Sequence, residues 1–214
     1  MKIALLCDTH CGIRNSSEVF LDNAEDFYTN IFFPECEKRG VKQILHLGDY
    51  YDHRKFVNFK ALNQNRRVFL DQLRKHNMVM DIIPGNHDTY YKNTNELNAL
   101  KECLGHYMNE VHIIMEPTVM QYGSLSMALL PWICADNYEP SMSFIRDCKA
   151  DWLGAHLELA NFEIGRGILA PHGMDAKIFK KFEQVLSGHY HTASRRDNIW
   201  YLGNPMEFFW SDAH

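Results

Sequence analysis

Five short segments of the chain share one pattern, in which a run of apolar residues ends and polar side chains begin. The segments are Asp8-Thr9-His10, Gly48-Asp49, Gly85-Asn86-His87-Asp88, Gly154-Ala155-His156 and Gly188-His189-Tyr190-His191. An apolar run that ends in a glycine is typical of a buried strand followed by a tight turn. Ligands of α/β sheets bind outside the carboxyl ends of the strands, so we expect the five segments to converge on one site.

The side chains of these segments include three carboxylates, one carboxamide and five imidazoles. Mixed oxygen and nitrogen ligands suit divalent manganese, iron or zinc. None of the five segments contains cysteine, and only the first is flanked by cysteines, Cys7 and Cys11, which argues against a structural zinc cluster. Each segment alone is weak evidence for a metal site, because Gly-Asp is common in turns and a lone Asp-x-His is more often a cap or a satisfied surface pair than a metal ligand. Five of them in this order indicate a metal site.

Strands and helices alternate in the first half of the sequence, and strands dominate the second half. Apolar runs predict strands at 2–7, 43–47, 78–83, 112–114, 118–122, 125–130, 151–156, 184–186, 192–196 and 199–202. Helical spacing predicts helices at 17–39, 57–76, 94–104, 140–148 and 175–181, with Pro34 interrupting the first. Gly165, Gly167 and Pro171 predict a loop. This order predicts an α/β fold with two packed mixed β-sheets flanked by helices.

Composition narrows the class of protein. A chain of 214 residues is long enough for one sizeable domain. We expect the six cysteines to be reduced thiols and the protein to be cytoplasmic, since no apolar run is long enough for a membrane span or a signal peptide. The net charge of −5 is unusual for a DNA-binding protein. Acidic residues that hold divalent cations nevertheless form a locally positive site once the cations bind.

At these motifs the sequence resembles the calcineurin-like metallophosphoesterase superfamily, from residue 8 to residue 191. The resemblance implies a four-layer α/β/β/α sandwich and two divalent cations, with manganese favoured over magnesium, iron or zinc. One cation would be held by Asp8, His10, Asp49 and His191. The other would be held by Asp49, Asn86, His156 and His189, so that the Asp49 carboxylate bridges both.

His87 has no cation assigned to it. In the family pattern the corresponding histidine lies over the scissile phosphate, where it stabilises the transition state or protonates the leaving oxygen. The alternative is that His87 orients Asp49 or Asn86 without touching the substrate. We expect His87 and Asp49 to be the catalytic residues.

Local sequence is similar to the SbcD-type nucleases of DNA break repair, and among them to the nuclease subunits of T-even phage recombination endonucleases. The matching segments are Gly48–Asp52, Asp52–Lys55, Ile83–Asp88, Leu130–Trp132 and Tyr201–Pro205. Cellular eukaryotic and archaeal members usually have histidine at the position of Asp52, so that histidine's role in strand handling is not transferred. His53 is adjacent, but its side chain would point elsewhere. The family's Gly-Ser-Pro is Gly203-Asn204-Pro205 here.

The resemblance implies that residues 1–214 form a nuclease domain without the capping domain and ATPase-binding helices of longer members. It implies 3′-to-5′ exonuclease activity on duplex ends and endonuclease activity on single-stranded DNA, in recombination or double-strand break repair with an SMC-like ATPase. It also implies a homodimer through helices near 57–76 and 94–104. For a phage-encoded protein the compartment would be the host cytoplasm.

Two alternatives remain at this point. One is a phosphodiesterase or phosphatase that acts on nucleotides or another small phosphoester. Asp52-His53-Arg54 and Asn86-His87-Asp88 differ from the Asp-Arg-Gly and Asn-His-Glu motifs of the superfamily's protein phosphatases, which disfavours that class. The other is a non-catalytic scaffold of the same fold, although such scaffolds typically lose ligands and none of the expected ones is missing here.

Overall fold

A computed structural model describes residues 1–165, 167–210 and 212, and two β-sheets form the centre of the molecule. The first sheet has the order β1-β2-β3-β4, and all of its strand pairs are parallel. Its strands are β1 (Ile3–Leu6), β2 (Gln43–His46), β3 (Val79–Ile82) and β4 (Val111–Ile113). Parallel pairing brings the carboxyl ends of β1, β2 and β3 to the same edge of the sheet.

The second sheet is mixed and has the order β11-β12-β10-β7-β6-β5. Its strands are β5 (Thr118–Tyr122), β6 (Leu125–Leu130), β7 (Trp152–His156), β10 (Gln184–Gly188), β11 (Ser194–Arg196) and β12 (Ile199–Tyr201). The central strands β6, β7, β10 and β12 are parallel, and β5 and β11 pair antiparallel at the two edges. The strands β7 and β10 therefore also end at one edge.

Helices cover the outer faces of both sheets. The helices are α1 (Glu18–Asp26, Phe27–Phe32 and Phe33–Arg39), α2 (Phe59–Asn65, Arg66–Leu70 and Asp71–Lys75), α3 (Ala99–Leu104) and α4 (Tyr138–Asp147). The middle stretches of α1 and α2 are π-helical, and short 3₁₀ turns lie at Gly105–Tyr107 and Ala176–Phe179. The interruption predicted at Pro34 takes the form of the π-helical stretch directly before it. Among the described residues, no helix is long and apolar enough to span a membrane.

Three apolar cores hold these layers together. One lies between the two sheets and includes Leu45, Leu47, Met127, Leu129 and Leu186. The other two lie between the first sheet and α1, α2 and α3, and between the second sheet and α4. The predicted four-layer α/β/β/α fold is confirmed, with the difference that the first sheet is wholly parallel rather than mixed. All six cysteines are free thiols, and four of them are buried.

Some predicted elements differ in kind or length. The loop predicted from Gly165, Gly167 and Pro171 contains a hairpin of β8 (Glu163–Gly165) and β9 (Ile168–Leu169). These strands are short and pair only with each other, so they lack the long apolar alternation that identifies a strand in sequence. The helix predicted at 175–181 is only a 3₁₀ turn. The helix predicted at 94–104 begins at Ala99, because the Asn98 side chain caps it by accepting a hydrogen bond from the Lys101 amide.

Candidate metal centre

Backbone conformation is unusual at the ends of the strands that face each other. Asp8, His10, Asp49 and His189 have φ values of 51°, 43°, 54° and 93°. Residues other than glycine rarely adopt this left-handed region, and such conformations concentrate at functional sites. The turns aim these four side chains into one space between the two sheets.

Glycines let the two sheets approach each other closely at this edge. A Cβ atom at Gly48, where φ is 89°, would lie 2.6 Å from Nδ1 of His156. A Cβ atom at Gly188 would lie 2.7 Å from the Leu47 carbonyl and 2.8 Å from Oδ2 of Asp8. Real Cβ atoms do not tolerate these separations, so the Gly-Asp and Gly-His motifs are needed for the contact between the sheets.

The first group of ligand-type atoms comes from Asp8, His10 and His191, all within 4.8 Å of one another. Nε2 of His10 lies 3.1 Å from Nε2 of His191, although 181 residues separate them in sequence. The Asp8 carboxylate is fixed because it accepts a hydrogen bond from the backbone amide of His189 at 3.0 Å. Asp8 and His10 are almost fully buried.

The second group consists of Asp49, His156 and His189, joined by Asn86. Oδ1 of Asn86 lies 2.8 Å from Nδ1 of His189 and 3.1 Å from Nε2 of His156. Nε2 of His156 also lies 3.3 Å from Oδ2 of Asp49. Side chains from four separate segments therefore meet at one point.

Asp49 lies between the two groups. Its Oδ2 atom is 3.3 Å from Nε2 of His156 and 3.9 Å from Nε2 of His10, so one oxygen faces both groups. Its Oδ1 atom accepts a hydrogen bond from the backbone amide of His87 at 2.7 Å. This hydrogen bond fixes the rotation of the carboxylate and leaves Oδ2 directed between the two groups.

Negative charge and burial dominate the electrostatics here. Burial disfavours the charged form of Asp49, but the charge and hydrogen bond of His156, together with the charges of His10 and His87, outweigh burial and lower the pKa of the carboxyl group. Burial also opposes protonation of His156, yet the Asp49 carboxylate raises its pKa to about 9. Burial and then the charge of His156 lower the pKa of His189 to about 3. One proton at His156 thus compensates part of the buried negative charge.

The candidate ligand atoms fit a cation because several of them are hydrogen-bond acceptors that face one another. Nδ1 of His156 lies 2.7 Å from the Leu47 carbonyl, which can only accept, so Nδ1 carries a proton and a neutral ring has its lone pair at Nε2. That lone pair would face the amide oxygen of Asn86 and the carboxylate of Asp49, which are also acceptors. Acceptors in contact require a proton or a cation between them, and imidazole, amide and carboxylate groups are suitable metal ligands.

His87 lies at the edge of this space, partly exposed. Its Nδ1 atom donates to the Asp52 carbonyl at 2.6 Å, so Nε2 is the nitrogen available to a ligand. Its ring centroid is 4.9 Å from that of His10, in an edge-to-face arrangement. The seven residues predicted to bind metal are thus brought together, with His87 beside them.

The sequence analysis assigned no role to two carboxylates that support the centre, Asp52 and Asp88. Oδ1 of Asp52 lies 3.3 Å from Nδ1 of His10. Asp88 accepts hydrogen bonds from the Tyr51 and Gly85 amides, both at 2.9 Å, and so ties two motif loops together. Burial and the charge of Asp49 raise the pKa of Asp88 to about 7. Both residues lie inside motifs that were recognised, but only the folded loops reveal their partners.

Aromatic side chains enclose the centre on two sides. The Trp132 ring lies 5.4 Å from that of His189 and 5.9 Å from that of His156. The Phe208 ring lies 5.7 Å from that of His10 on the other side. Trp132 belongs to the Leu-Pro-Trp segment noted in the sequence, whereas no sequence pattern indicated Phe208.

Comparisons by sequence give one family match and one curated relative. The calcineurin-like phosphoesterase family profile matches residues 1–193. The chain is 30% identical over 205 residues to exonuclease subunit 1 of enterobacteria phage T4, covering 96% of this chain and 59% of that protein. The chain thus spans less than two thirds of the length of this curated relative.

Solved structures with similarity to the chain include two bacterial proteins. One is the Pseudomonas putida nuclease MPE, at 17% identity and a TM-score of 0.41, covering 92% of this chain and 66% of that one. The other is a hypothetical protein from Thermus thermophilus, at 13% identity and a TM-score of 0.47, covering 95% and 75%. The family match, which spans nearly the whole chain, decides the assignment: the chain belongs to the calcineurin-like phosphoesterase family.

Proposed function

We propose that this protein is a two-metal phosphodiesterase that cleaves DNA. The observation that carries the proposal is the position of Asp49, whose Oδ2 atom faces a histidine of each ligand group, at 3.3 Å and 3.9 Å. A carboxylate in this position can bridge two cations about 3.5–4 Å apart, and both cations can then contact one phosphate group.

The proposed ligands follow the two groups. Asp8, His10, Asp49 and His191 would hold one cation. Asp49, Asn86, His156 and His189 would hold the other. When bound, such a pair of cations supplies an activated water molecule and neutralises charge on the phosphoryl oxygens. The set combines imidazole nitrogens with carboxylate and amide oxygens, which suit manganese, iron or zinc, and we favour manganese because the family resemblance implies it.

His87 would act on the phosphodiester directly. Its Nδ1 proton is held by the Asp52 carbonyl, so a protonated ring can donate from Nε2 to the leaving oxygen. Its amide hydrogen bond to Asp49 fixes its position relative to the ligand groups. Because the backbone amide of His87 rather than its ring contacts Asp49, the side chain is not needed to orient Asp49, which supports a role as general acid.

DNA as the substrate rests on the similarity to exonuclease subunit 1 of phage T4. We propose 3′-to-5′ exonuclease activity on duplex ends and endonuclease activity on single strands, as in the SbcD-type nucleases, during recombination or break repair. The net charge of −5 does not conflict with this substrate, because two bound divalent cations place positive charge where the phosphate binds.

Partners are proposed on similar grounds. The relative's name describes a subunit, which supports a partner chain, and an SMC-like ATPase is the partner that the SbcD-type resemblance implies. A homodimer would use the helices near 57–76 and 94–104. In this region Phe59 is 86% exposed and Leu97 is 39% exposed. Light scattering on the wild type and on Phe59→Glu would test the homodimer, since only the variant should be monomeric.

Two measurements test the proposed function. Anomalous scattering from crystals soaked in manganese should show two ions, with Asp49 bound to both. Linear duplex DNA labelled at either the 5′ or the 3′ end should be degraded from its 3′ ends only when manganese is present. Hydrolysis of bis-p-nitrophenyl phosphate without any cleavage of DNA would instead favour a small phosphoester as the substrate.

A further inference from the structure

The His191 imidazole presents its two nitrogens to different surroundings. Nε2 faces the first ligand group, at 3.1 Å from Nε2 of His10. Nδ1 faces away from the group and lies 3.6 Å from Oδ2 of Asp212. The ring stacks on Phe209, with centroids 5.8 Å apart and an interplanar angle of 24°. His191 is thus held between the ligand group and the side chains of Phe209 and Asp212.

The Asp212 carboxylate is fixed by groups other than His191. Its Oδ2 atom accepts hydrogen bonds from the amides of Phe208 and Phe209 at 3.0 Å and 3.1 Å, and from Nδ2 of Asn204 at 2.9 Å. The residue is 5% exposed. Three donors thus hold this carboxylate beside the outer nitrogen of His191.

Two other histidines of the centre also have an oxygen acceptor beside the outer nitrogen, at shorter distances than the 3.6 Å between His191 and Asp212. Nδ1 of His10 lies 3.3 Å from the Asp52 carboxylate, and Nδ1 of His156 lies 2.7 Å from the Leu47 carbonyl. An acceptor at the outer nitrogen selects the tautomer whose inner nitrogen has a lone pair for metal, orients the ring and increases its basicity. Asp212 would complete this arrangement for His191.

We propose that Asp212 is a positioning residue for the cation held by Asp8, His10 and His191, and that it acts through Nδ1 of His191. This inference rests on the proposed function, because it assumes a cation at that group. Asp212 lies 21 residues beyond His191 and outside every motif identified in the sequence. The turn that carries Phe208 and Asp212 then belongs to the metal centre rather than only to the surface of the fold.

The competing explanation is that Asp212 only stabilises the turn at Phe208 and Phe209. Asp212→Asn separates the two roles, since it keeps an acceptor oxygen for the amides of the turn but loses the negative charge beside His191. Asp147→Asn is the matched control, because it makes the same substitution at a side chain that is 66% exposed and pairs with Arg146 outside the centre.

The test is a manganese titration of the wild type and both variants, in which electron paramagnetic resonance measures the concentration of the free ion. We expect two bound ions in the wild type. In Asp212→Asn, one of them should bind about 10–100-fold more weakly, while the affinity for the other stays within about 2-fold. Asp147→Asn should match the wild type. Melting temperatures measured on the same samples identify any variant that fails to fold.

Three outcomes would overturn the inference. Two ions bound by Asp212→Asn with wild-type affinities would refute it and leave the proposed function intact. Equal weakening of both ions would identify Asp212 as a structural residue only. A wild-type protein that binds no manganese would refute the proposed function, and the inference with it. In a folded Asp212→Asn variant without metal, nitrogen-15 chemical shifts of the His191 ring should also show a lower population of the Nδ1-protonated tautomer.

Discussion

The Asp49 carboxylate passes so close to Gly85 that a Cβ atom at residue 85 would overlap Oδ1 of Asp49. Gly85→Ala should therefore displace Asp49, because the overlap involves its backbone nitrogen as well as its side chain. We expect manganese affinity to fall by more than about 10-fold, as when a group that orients a metal ligand is lost. Calorimetric titration with manganese measures this effect.

Gly105→Ala is the control for that variant. Gly105 lies in a 3₁₀ turn after α3, and nothing lies within 4 Å of a Cβ atom built there. The same added methyl group should leave manganese affinity unchanged. Unchanged affinity in Gly85→Ala as well would show that the approach of the Gly-Asn-His-Asp loop to Asp49 is not needed for the centre.

Asp49→Asn should weaken both cations together. The asparagine amide lacks the negative charge that would bridge the two cations. It therefore places a neutral group between two cations that repel each other electrostatically. We expect DNA cleavage to fall by at least about 10²-fold. The measurement is manganese-dependent degradation of linear duplex DNA at several manganese concentrations.

The surface substitution Asp147→Asn is the comparison for Asp49→Asn. The Asp147 side chain is 66% exposed and pairs with its neighbour Arg146. The Asp147→Asn variant should cleave DNA at the wild-type rate. If Asp49→Asn kept that rate too, the bridging assignment would be wrong.

His87→Asn should separate chemistry from metal binding. Loss of a group that donates a proton to the leaving oxygen lowers kcat by about 10²–10⁴-fold. The backbone amide of residue 87 still donates to Asp49, so manganese affinity should stay within about 2-fold of the wild type. Single-turnover cleavage and manganese titration measure the two quantities separately.

A matched substitution is His106→Asn, at an exposed position in the 3₁₀ turn after α3. It should leave both cleavage and manganese binding unchanged. A His87→Asn variant that loses manganese affinity in parallel with activity would contradict the role of general acid and favour an orienting role.

Asp52→Ala should disturb the orientation of the His10 ring and leave that of His87 unchanged. The substitution removes the carboxylate at 3.3 Å from His10 Nδ1, but the backbone carbonyl that accepts from His87 remains. We expect about 10–100-fold weaker binding of the cation held by Asp8 and His10. Asp147→Ala is the control, because it removes a carboxylate whose side chain is 66% exposed and pairs with Arg146 outside the centre. Similar manganese affinities for both variants would argue against orientation of His10 by Asp52.

Sequence patterns were sufficient to predict the candidate site residues that follow strands. Asp8, Asp49, Asn86, His156 and His189 each come after a long apolar run, and parallel pairing within each sheet brings their strand ends to one edge. The layers were also predictable, because helices and strands alternate along the chain and their apolar residues recur with different periods.

The remaining features depend on contacts between distant segments. Asp212 reaches His191 only because the chain turns back at Phe208, and no local pattern marks this turn. The β8–β9 hairpin has too few residues for a recognisable alternation. A backbone amide and a carbonyl hold His87 in place, and such groups are invisible in a sequence because every residue carries them.

The left-handed backbone conformations of Asp8, His10, Asp49 and His189 restrict which substitutions evolution can accept at these four positions. Each costs about 1–3 kcal/mol, which the surrounding packing must offset. Glycine would relax the backbone at any of these positions but would remove a side chain that the centre uses. Selection for a more heat-resistant protein and selection for turnover therefore pull in opposite directions at these four residues.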